Sequence, residues 1–543
     1  MMTRKLLLPL LLMLVSLTGL AQNGVGDWCL HVPFISDKVT TAYETRRCVY
    51  YLAGNNLFRL DKETNENESM NVLNDLSDMK VSDIYYNSRK DYLVVVYSNS
   101  NLDVILSDGS VVNMPEIKDA MISSSKTIND VTFAAGVIYL ATDFGYVVIN
   151  DSKFVVKESH LYGQKMVSVA QVGDMLLLSA PDTLYYGAAD KYHELLSSFN
   201  KALIDKKDTG GRIMPIDETT FFYVPGWTFH ETMTVNEDGT ATFSKHKLFE
   251  SSSMTPQATV DGFLLNAPAQ GLCYKTGPDG YTAELIEGVQ DEICTSHPAG
   301  NGDLWGLCSR GLHLVNSQNY YLPNALSIAT PFWMTYNKAK DLLYVTPPGT
   351  NGFFTDTTTV VNTFDGTRWT DVTPEGTPSG GCFWIEFMPD DPNTYFLGTW
   401  NDGLLKVVND EIVCKYDTTN SPLMTRGKWS PVMHPVTSID RHGNVWVAQP
   451  YEIKEDYVVT LPAAKAKLNE STASDWIKTE ISGIYDGNGH TQKCRFLSTR
   501  NSKYDIKIFS DGDISRPVFF WNIPCPVQMC SPTARPTARP MAN

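Results

Sequence analysis

Positive charge is scarce in this sequence. Lys and Arg number 44 against 61 Asp and Glu in 543 residues, a formal net charge of −17. A chain of that charge repels nucleic acid, and no basic stripe opposes it, so nucleic-acid partners are excluded. The acidity reads as a solvated surface. Charged residues of both signs make up only 19%, while aromatics reach 11% and Gly and Pro number 37 and 29. That balance suits an all-β globular protein better than a helical or disordered one.

Catalytic signatures are missing too. There is no HExxH, no P-loop, no GxGxxG after a strand and no GxSxG. The ten histidines are scattered. His434 and His442 come closest, with no Cys or acidic partner at metal spacing. The sequence therefore assigns no catalytic, cofactor-binding or metal residue, and the expectation is a protein that is not an enzyme. CxxC is absent as well. The ten cysteines are Cys29, Cys48, Cys273, Cys294, Cys308, Cys382, Cys414, Cys494, Cys525 and Cys530. A large core does not need disulfides, so buried thiols acting as small apolar groups are expected as much as a disulfide framework. Cys29 with Cys48 and Cys525 with Cys530 are the first pairs to test.

Long apolar runs are confined to the first residues. Arg4 and Lys5 precede an apolar stretch from Leu6 to Leu20, and Gly19-Leu-Ala21 offers small residues for cleavage before Gln22. The run is short for a membrane span, which takes roughly 20 residues. Residues 1–21 read as a signal peptide, and no later run could cross a bilayer as a helix.

What the sequence does have is a repeat. Val137-Ile-Tyr-Leu-Ala-Thr-Asp-Phe-Gly-Tyr-Val-Val-Ile-Asn-Asp151 reads as strand, Gly-bearing turn, strand and tight Asn150-Asp151 hairpin into Phe154-Val-Val156. The unit returns at Leu304–Asn316 and Phe396–Asp410, where Gly311 and Gly403 open a strand and Asn316 and Asn409 close it. Turns at Asn56, Asn101, Gly145, Thr183, Gly271, Gly311, Gly352 and Gly403 mark the series, with a degraded copy around Phe221–Val224. A period of roughly 40–50 residues with several short strands is the mark of a β-propeller blade. Lys191–Lys201 and Ala463–Leu468 suit short helices in the connecting loops.

The mature chain holds about eleven such units, more than the 4–8 of one ring. The expected architecture is all-β tandem propellers. A closed first ring, read as seven-bladed, covers residues 22–325, and an incomplete second ring covers 326–524. Residues 525–543, with their tandem Thr-Ala-Arg-Pro, have no strand pattern and read as a disordered or aberrant tail.

The N-terminal half resembles the PorZ-like attachment-complex proteins of the type IX secretion system. The resemblance rests on Trp28 with His31, Leu76-Ser-Asp78 leading into Val81-Ser-Asp-Ile84, Tyr97-Ser-Asn-Ser-Asn-Leu-Asp103, Lys126-Thr-Ile-Asn129 and Asp143-Phe-Gly145. The later units, with Leu304-Trp305 and Gly403-Leu404, resemble the wider two-component-regulator propeller repeat. The family resemblance implies a non-catalytic component, exported to the periplasm or outer-membrane surface. Its implied partners are other proteins of the complex and anionic lipopolysaccharide. It also implies a C-terminal β-sandwich, for which this chain has no room. No cofactor is implied.

Two other functions fit the repeats. A secreted propeller hydrolase or lyase acting on polysaccharide would need carboxylates converging at the central pocket. The periplasmic part of a sensor would need a membrane span. The single residues with possible chemistry have plainer readings. Thr363-Phe-Asp-Gly-Thr-Arg-Trp369 compares loosely with the Asp-box turns of propeller glycosidases and reads better as an Asp-Gly hairpin. Asp390, Asp391 and Asp402 offer oxygen ligands for Ca²⁺ but read as solvated turns. Trp227, Trp333, Trp384 and Trp400 could line a glycan-binding face, and blade-to-blade packing is the commoner use.

Overall fold

The computed structural model describes residues 29–34, 39–202, 209–224, 227–235, 241–252, 255–259, 262–267, 272–276, 283–285, 295–298, 304–308, 311–314, 319–348, 360–378, 381–400, 402–424, 435–448, 457–480, 507–509 and 518–520. The chain divides into two compact units, with the boundary between Ala325 and Leu326. The expected signal peptide, the tail, Trp28 and His434 lie outside the described residues.

Among the described residues, the first unit contains seven four-stranded antiparallel sheets, each made of four consecutive strands in sequence order. Sheet 1 runs from Val39–Glu44 to Asn67–Met70, sheet 2 from Val81–Asn87 to Val111–Met114, and sheet 3 from Ile128–Ala134 to Val155–Leu161. Sheet 4 runs from Ser168–Val172 to Asn200–Lys201, sheet 5 from Arg212–Pro215 to Ala241–Ser252, sheet 6 from Thr255–Thr259 to Ala283–Leu285, and sheet 7 from Thr295–Pro298 to Tyr320–Tyr321. The second unit has three more, from Trp333–Asn337 to Trp369–Asp371, Cys382–Met388 to Glu411–Tyr416, and Val436–Ile439 to Ile477–Glu480. A two-stranded ladder joins Lys507–Phe509 to Val518–Phe520.

The second strands explain why the sheets stack. Tyr92–Tyr97 is buried at every position. Successive side chains of a strand point to opposite faces, so this strand needs apolar cover on both. Tyr92, Val94 and Val96 pack with Val131, Ile138 and Leu140 of sheet 3. Leu93, Val95 and Tyr97 pack with Tyr50, Leu52 and Leu57 of sheet 1. Val137–Thr142 and Met175–Ala180 divide their side chains between two neighbours in the same way. Sheet 1 completes the series: one face meets sheet 2, and the other, through Val49, Tyr51 and Phe58, packs on Trp305 and Leu312 of sheet 7. Asn67 Nδ2 donates to the carbonyl of Tyr321 at 2.7 Å, and Asn324 N donates to the carbonyl of Asn67 at 3.1 Å. The first strands contact one another between sheets 1 and 2, 2 and 3, 3 and 4, 4 and 5, 6 and 7, and 7 and 1, so they line the axis of a propeller.

Details of the repeat differ from the sequence reading. Asn409 and Asp410, with φ of 50° and 65°, form a two-residue turn between Val408 and Glu411 with both central residues left-handed, as a type I′ hairpin requires. Asn150-Asp151 does not. Asn150 pairs with Val155, leaving four residues in the connection, and the left-handed residue is Phe154 at φ 50°. Two contacts account for the longer turn. Asp151 is buried against Lys90 Nζ at 2.8 Å, and the Phe154 ring meets Tyr92 edge-on at 5.4 Å, so both reach sheet 2. The only helical turn in the Lys191–Lys201 stretch is a 3₁₀ turn at Leu196–Ser198, whereas Ala463–Ala466 is helical, as is Glu116–Asp119, which the sequence reading missed. Cys29, Cys48, Cys382 and Cys414 are free thiols, so Cys29 and Cys48 are unpaired with each other.

The opening glycines have a common cause. At Gly145, φ is +145° and a Cβ would stand 1.9 Å from the carbonyl oxygen of His160 on the adjoining strand; at Gly311 it would stand 2.9 Å from that of Tyr321. Gly109, at φ +86°, has nothing within 4 Å of its Cβ position. Gly145→Ala must therefore move backbone, and is expected to cost on the order of 3 kcal/mol. Gly109→Ala meets only the left-handed penalty of about 1 kcal/mol. Denaturant midpoints of the two variants compare them directly, and equal losses would contradict the steric account.

Candidate functional site: the axial pocket of the first unit

Several carboxylates are occupied by their own turns. Asp108 accepts from Ser110 Oγ at 2.6 Å, Asp365 from Thr367 Oγ1 at 2.8 Å, and Asp417 from Thr419 Oγ1 at 2.6 Å, each with the backbone N–H of the same partner. The hydroxyl bonds, with the backbone bonds, hold all three carboxyls below their ordinary value. Asp365-Gly366, the loose match to a glycosidase turn, is such a hairpin, closed by Phe364 and Trp369 with ring centroids 4.8 Å apart. Asp391 accepts from Asn393 N and Thr394 Oγ1, and Asp402 pairs with Lys415 at 2.8 Å. No group of three His, Cys, Asp or Glu among the described residues is placed to hold a metal ion.

The tryptophans pack between sheets. Trp333 and Trp384 stack with centroids 3.5 Å apart, Trp384 Nε1 donates to the carbonyl of Thr437, and Trp400 meets Phe383 edge-on. The Trp227 side chain lies outside what is described. His442 is exposed on a turn, where its Nε2 accepts from Arg441 Nε at 3.2 Å.

The family-like stretches hold loops together. Asp103 is buried and accepts from Ser77 N, the Tyr97 hydroxyl and Asn113 Nδ2. Asp78 binds Asn99 Nδ2 at 2.5 Å and Lys118 Nζ at 2.7 Å. These bonds join the 76–80 connection to the turn inside sheet 2. Sheet 3 repeats the device: Asp143 binds Ser125 Oγ at 2.6 Å and Asn129 Nδ2 at 3.1 Å, and Asn129 also donates to the carbonyl of Met166.

The remaining acidic residues of interest face the axis. Asp83 and Asp130 are the third residues of the first strands of sheets 2 and 3, and Arg212 opens the first strand of sheet 5. Arg212 Nε lies 2.9 Å from Asp130 Oδ1, yet the two are not aligned as a hydrogen bond, so the contact is ionic. Ser168 Oγ, from sheet 4, donates to Asp130 Oδ2 at 2.5 Å. The guanidinium lies over the Tyr85 ring, 5.3 Å from its centroid. Burial raises the carboxyls of Asp83 and Asp130 against the pull of Arg212. Burial works to lower Arg212, but Asp130, Tyr85, Tyr43 and Asp83 outweigh it and hold the guanidinium above its ordinary value. Beside this group opens a cavity of about 330 Å³, lined by Tyr43, Tyr85, Tyr86, Lys90, Phe133 and Arg212 among others. The only sequence signal for it was the recurrence of apolar-polar-Asp-apolar at Val81–Ile84 and Ile128–Val131; nothing pointed to Arg212.

Residues 49–200 match the family model described as TSS9, PorZ, N-terminal beta-propeller domain. Over that span the chain is similar to the PorZ propeller domain. The span includes the stretches Leu76–Asp103 and Lys126–Gly145 that carry the resemblance. A solved structure of PorZ, described as an essential bacterial surface component of the type-IX secretion system of Porphyromonas gingivalis, aligns with a TM-score of 0.66 at 19% identity, over 83% of this chain and 60% of that one. The chain thus spans about 60% of the length of that PorZ. The extracellular domain of the putative one component system BT4673 from B. thetaiotaomicron aligns over 83% of this chain and 57% of that one, with a TM-score of 0.29 and 12% identity. The WD40 β-propeller domain of Doa1 aligns over 53% of this chain and 98% of that one, with a TM-score of 0.35 and 10% identity. No curated protein matches the sequence.

Two outcomes follow from these charges. Arg212→Ala would leave Asp130 buried without its cation, and a loss of about 3–5 kcal/mol is expected. Adding Asp130→Asn should recover part of it, and a thermal-unfolding double-mutant cycle reads the difference. Acid acts on the other set. Burial would raise Asp78, but the bonds from Lys118 and Asn99 outweigh it and bring it down to about 2. The Lys465 bond brings Asp475 down to about 2. Their folded values lie below the unfolded ones, so their stabilisation is present above about pH 4 and is lost as pH falls toward 2. The raised Asp83 and Asp130 have the opposite sign: they favour the folded state more as pH falls. The turn and ion-pair carboxylates are more numerous, so the thermal midpoint should drop between about pH 4 and pH 2; a flat profile there would contradict this.

Proposed function

We propose that this chain is a non-catalytic propeller component of the type IX secretion attachment complex. It is exported to the periplasm or outer-membrane surface and binds partner proteins of the complex and anionic lipopolysaccharide. The observation that carries the reading is the match of residues 49–200 to the PorZ N-terminal propeller domain. Three features support it. Many of the carboxylates that could serve catalysis are bound by turns or cations. The signature residues fasten the connecting loops to the turns and strands beside them. The axial pocket places Arg89, Lys90 and Arg212 together in a chain that is otherwise acidic, which gives an anionic ligand somewhere to go. Among the described residues no helix is long and apolar enough to cross a membrane.

One observation favours a second reading. Asp83 and Asp130 converge beside the axial pocket, where a polysaccharide hydrolase or lyase would keep its carboxylates. Arg212 stands against them, since it couples to both carboxyls and contacts Asp130. Tagged protein expressed in its own host is expected to co-purify with outer-membrane secretion components, and its deletion to leave exported cargo unattached. Isolation free of any such component, with turnover of a glycan abolished by Asp130→Asn, would replace this reading with the enzymatic one.

A further inference from the structure

We propose that the axial pocket of the first unit binds a small organic carboxylate attached to a ring, with the outer edge of the Arg212 guanidinium gripping the carboxylate and tyrosines surrounding the ring. The assignment rests on these residues alone and stands whether or not the chain works in secretion.

Arg212 is the uncommitted donor. Its Nε faces Asp130 without a hydrogen bond, and neither Nη makes one among the described residues. The side chain is 29% exposed, so the outer edge remains accessible while the Nε side is buried. A guanidinium presents paired N–H groups in a fixed plane, a geometry that matches the two oxygens of a carboxylate. The Tyr85 ring beneath it at 5.3 Å holds that plane in orientation. Tyr43, Tyr85, Tyr86 and Phe133 supply aromatic surface, which favours a ring-bearing body over a bare anion. The volume of about 330 Å³ is at the small end for ligand pockets and matches one ring with its substituents.

The charges around the pocket set how binding responds to pH. Asp130 contacts Arg212 and the Tyr85 ring lies beneath it, while the charges of Asp83 and Tyr43 also act on it. At the mouth Lys90 is paired with Asp151 at 2.8 Å, and Arg89 has no ion-pair partner among the described residues. With both axial carboxyls ionised, the group around Arg212 is net negative and resists an anion. Each proton taken up there removes one negative charge. Burial raises both carboxyls above the ordinary range, so this uptake begins while a bound ligand carboxylate is still ionised. Affinity should therefore rise as pH is lowered.

The test uses the full chain with benzoate and galacturonate as probes, and benzyl alcohol and galactose as their neutral counterparts, titrated calorimetrically at pH 8 and pH 5. At least one carboxylate should bind saturably, about tenfold more tightly than its neutral counterpart, as one charge-assisted interaction provides. It should bind more tightly at pH 5. Benzoate ahead of galacturonate would identify an aromatic acid, and the reverse a sugar acid. Because Arg212 variants are expected to lose stability, the site is tested by Ala135→Trp, which fills the mouth from an exposed turn. This variant should keep the wild-type melting temperature and lose binding. Equal affinity for charged and neutral probes, no saturable binding of either acid, or binding unchanged by Ala135→Trp would overturn the proposal.

Discussion

A strand buried on both faces needs a partner on each, and the first unit is built on that need. Tyr92–Tyr97, Val137–Thr142 and Met175–Ala180 carry apolar side chains at odd and even positions alike. A single sheet with such strands would expose half of them, at about 25 cal/mol for each Å² of apolar surface. Stacking in a line only moves the exposed face to the ends of the row. Packing sheet 1 on sheet 7 through Val49, Tyr51, Phe58, Trp305 and Leu312 covers an end face at each side. The glycines that open third strands serve the same geometry, because the facing carbonyl comes close enough at Gly145 and Gly311 to leave no room for a side chain.

The acidity of the chain has two uses that composition could not separate. At the connections an Asp bonds the hydroxyl and N–H two residues ahead, and a Ser or Thr there recurs at Asp108, Asp365 and Asp417. Asp108 and Asp365 are exposed and Asp417 is half-buried, but all three are fixed in place as parts of turns. At the sheet junctions, Asp78, Asp103 and Asp143 gather amides and lysines into networks that fix one loop to the next. A buried acceptor such as Asp103 is tolerable only because each of its oxygens is satisfied. Reading the acidic residues as a solvated surface captured their exposure and missed their bonds.

The repeat was legible because the hairpin connections must reverse the chain in few residues, and that requirement leaves Gly behind between second and third strands at Gly145 and Gly311, and Asn between third and fourth strands at Asn409. Turn length was less legible. Asn150-Asp151 and Asn409-Asp410 look alike, but Asp151 is drawn away by Lys90 and Phe154 by Tyr92, contacts made by a different sheet. The family-like stretches were visible as motifs without revealing that their work is structural. The axial pocket was hardest to see. Asp83 and Asp130 stand 47 positions apart, Arg212 is 82 positions beyond Asp130, and their meeting depends on how the ring turns.

That meeting calls for a physical reason, since a buried ion group rarely stabilises a fold more than well-packed apolar residues would. Two carboxyls and one guanidinium at the axis are a costly way to fill space. Their bonds limit the roles left open. Ser168 fixes one oxygen of Asp130, and the backbone N–H of Ile84 fixes Asp83 at 2.8 Å. Burial moves both carboxyls in the same direction. A glycosidase instead separates its two carboxyls, keeping one protonated and the other ionised. Held by these bonds and both acting on one cation, the pair serves as a mount for Arg212.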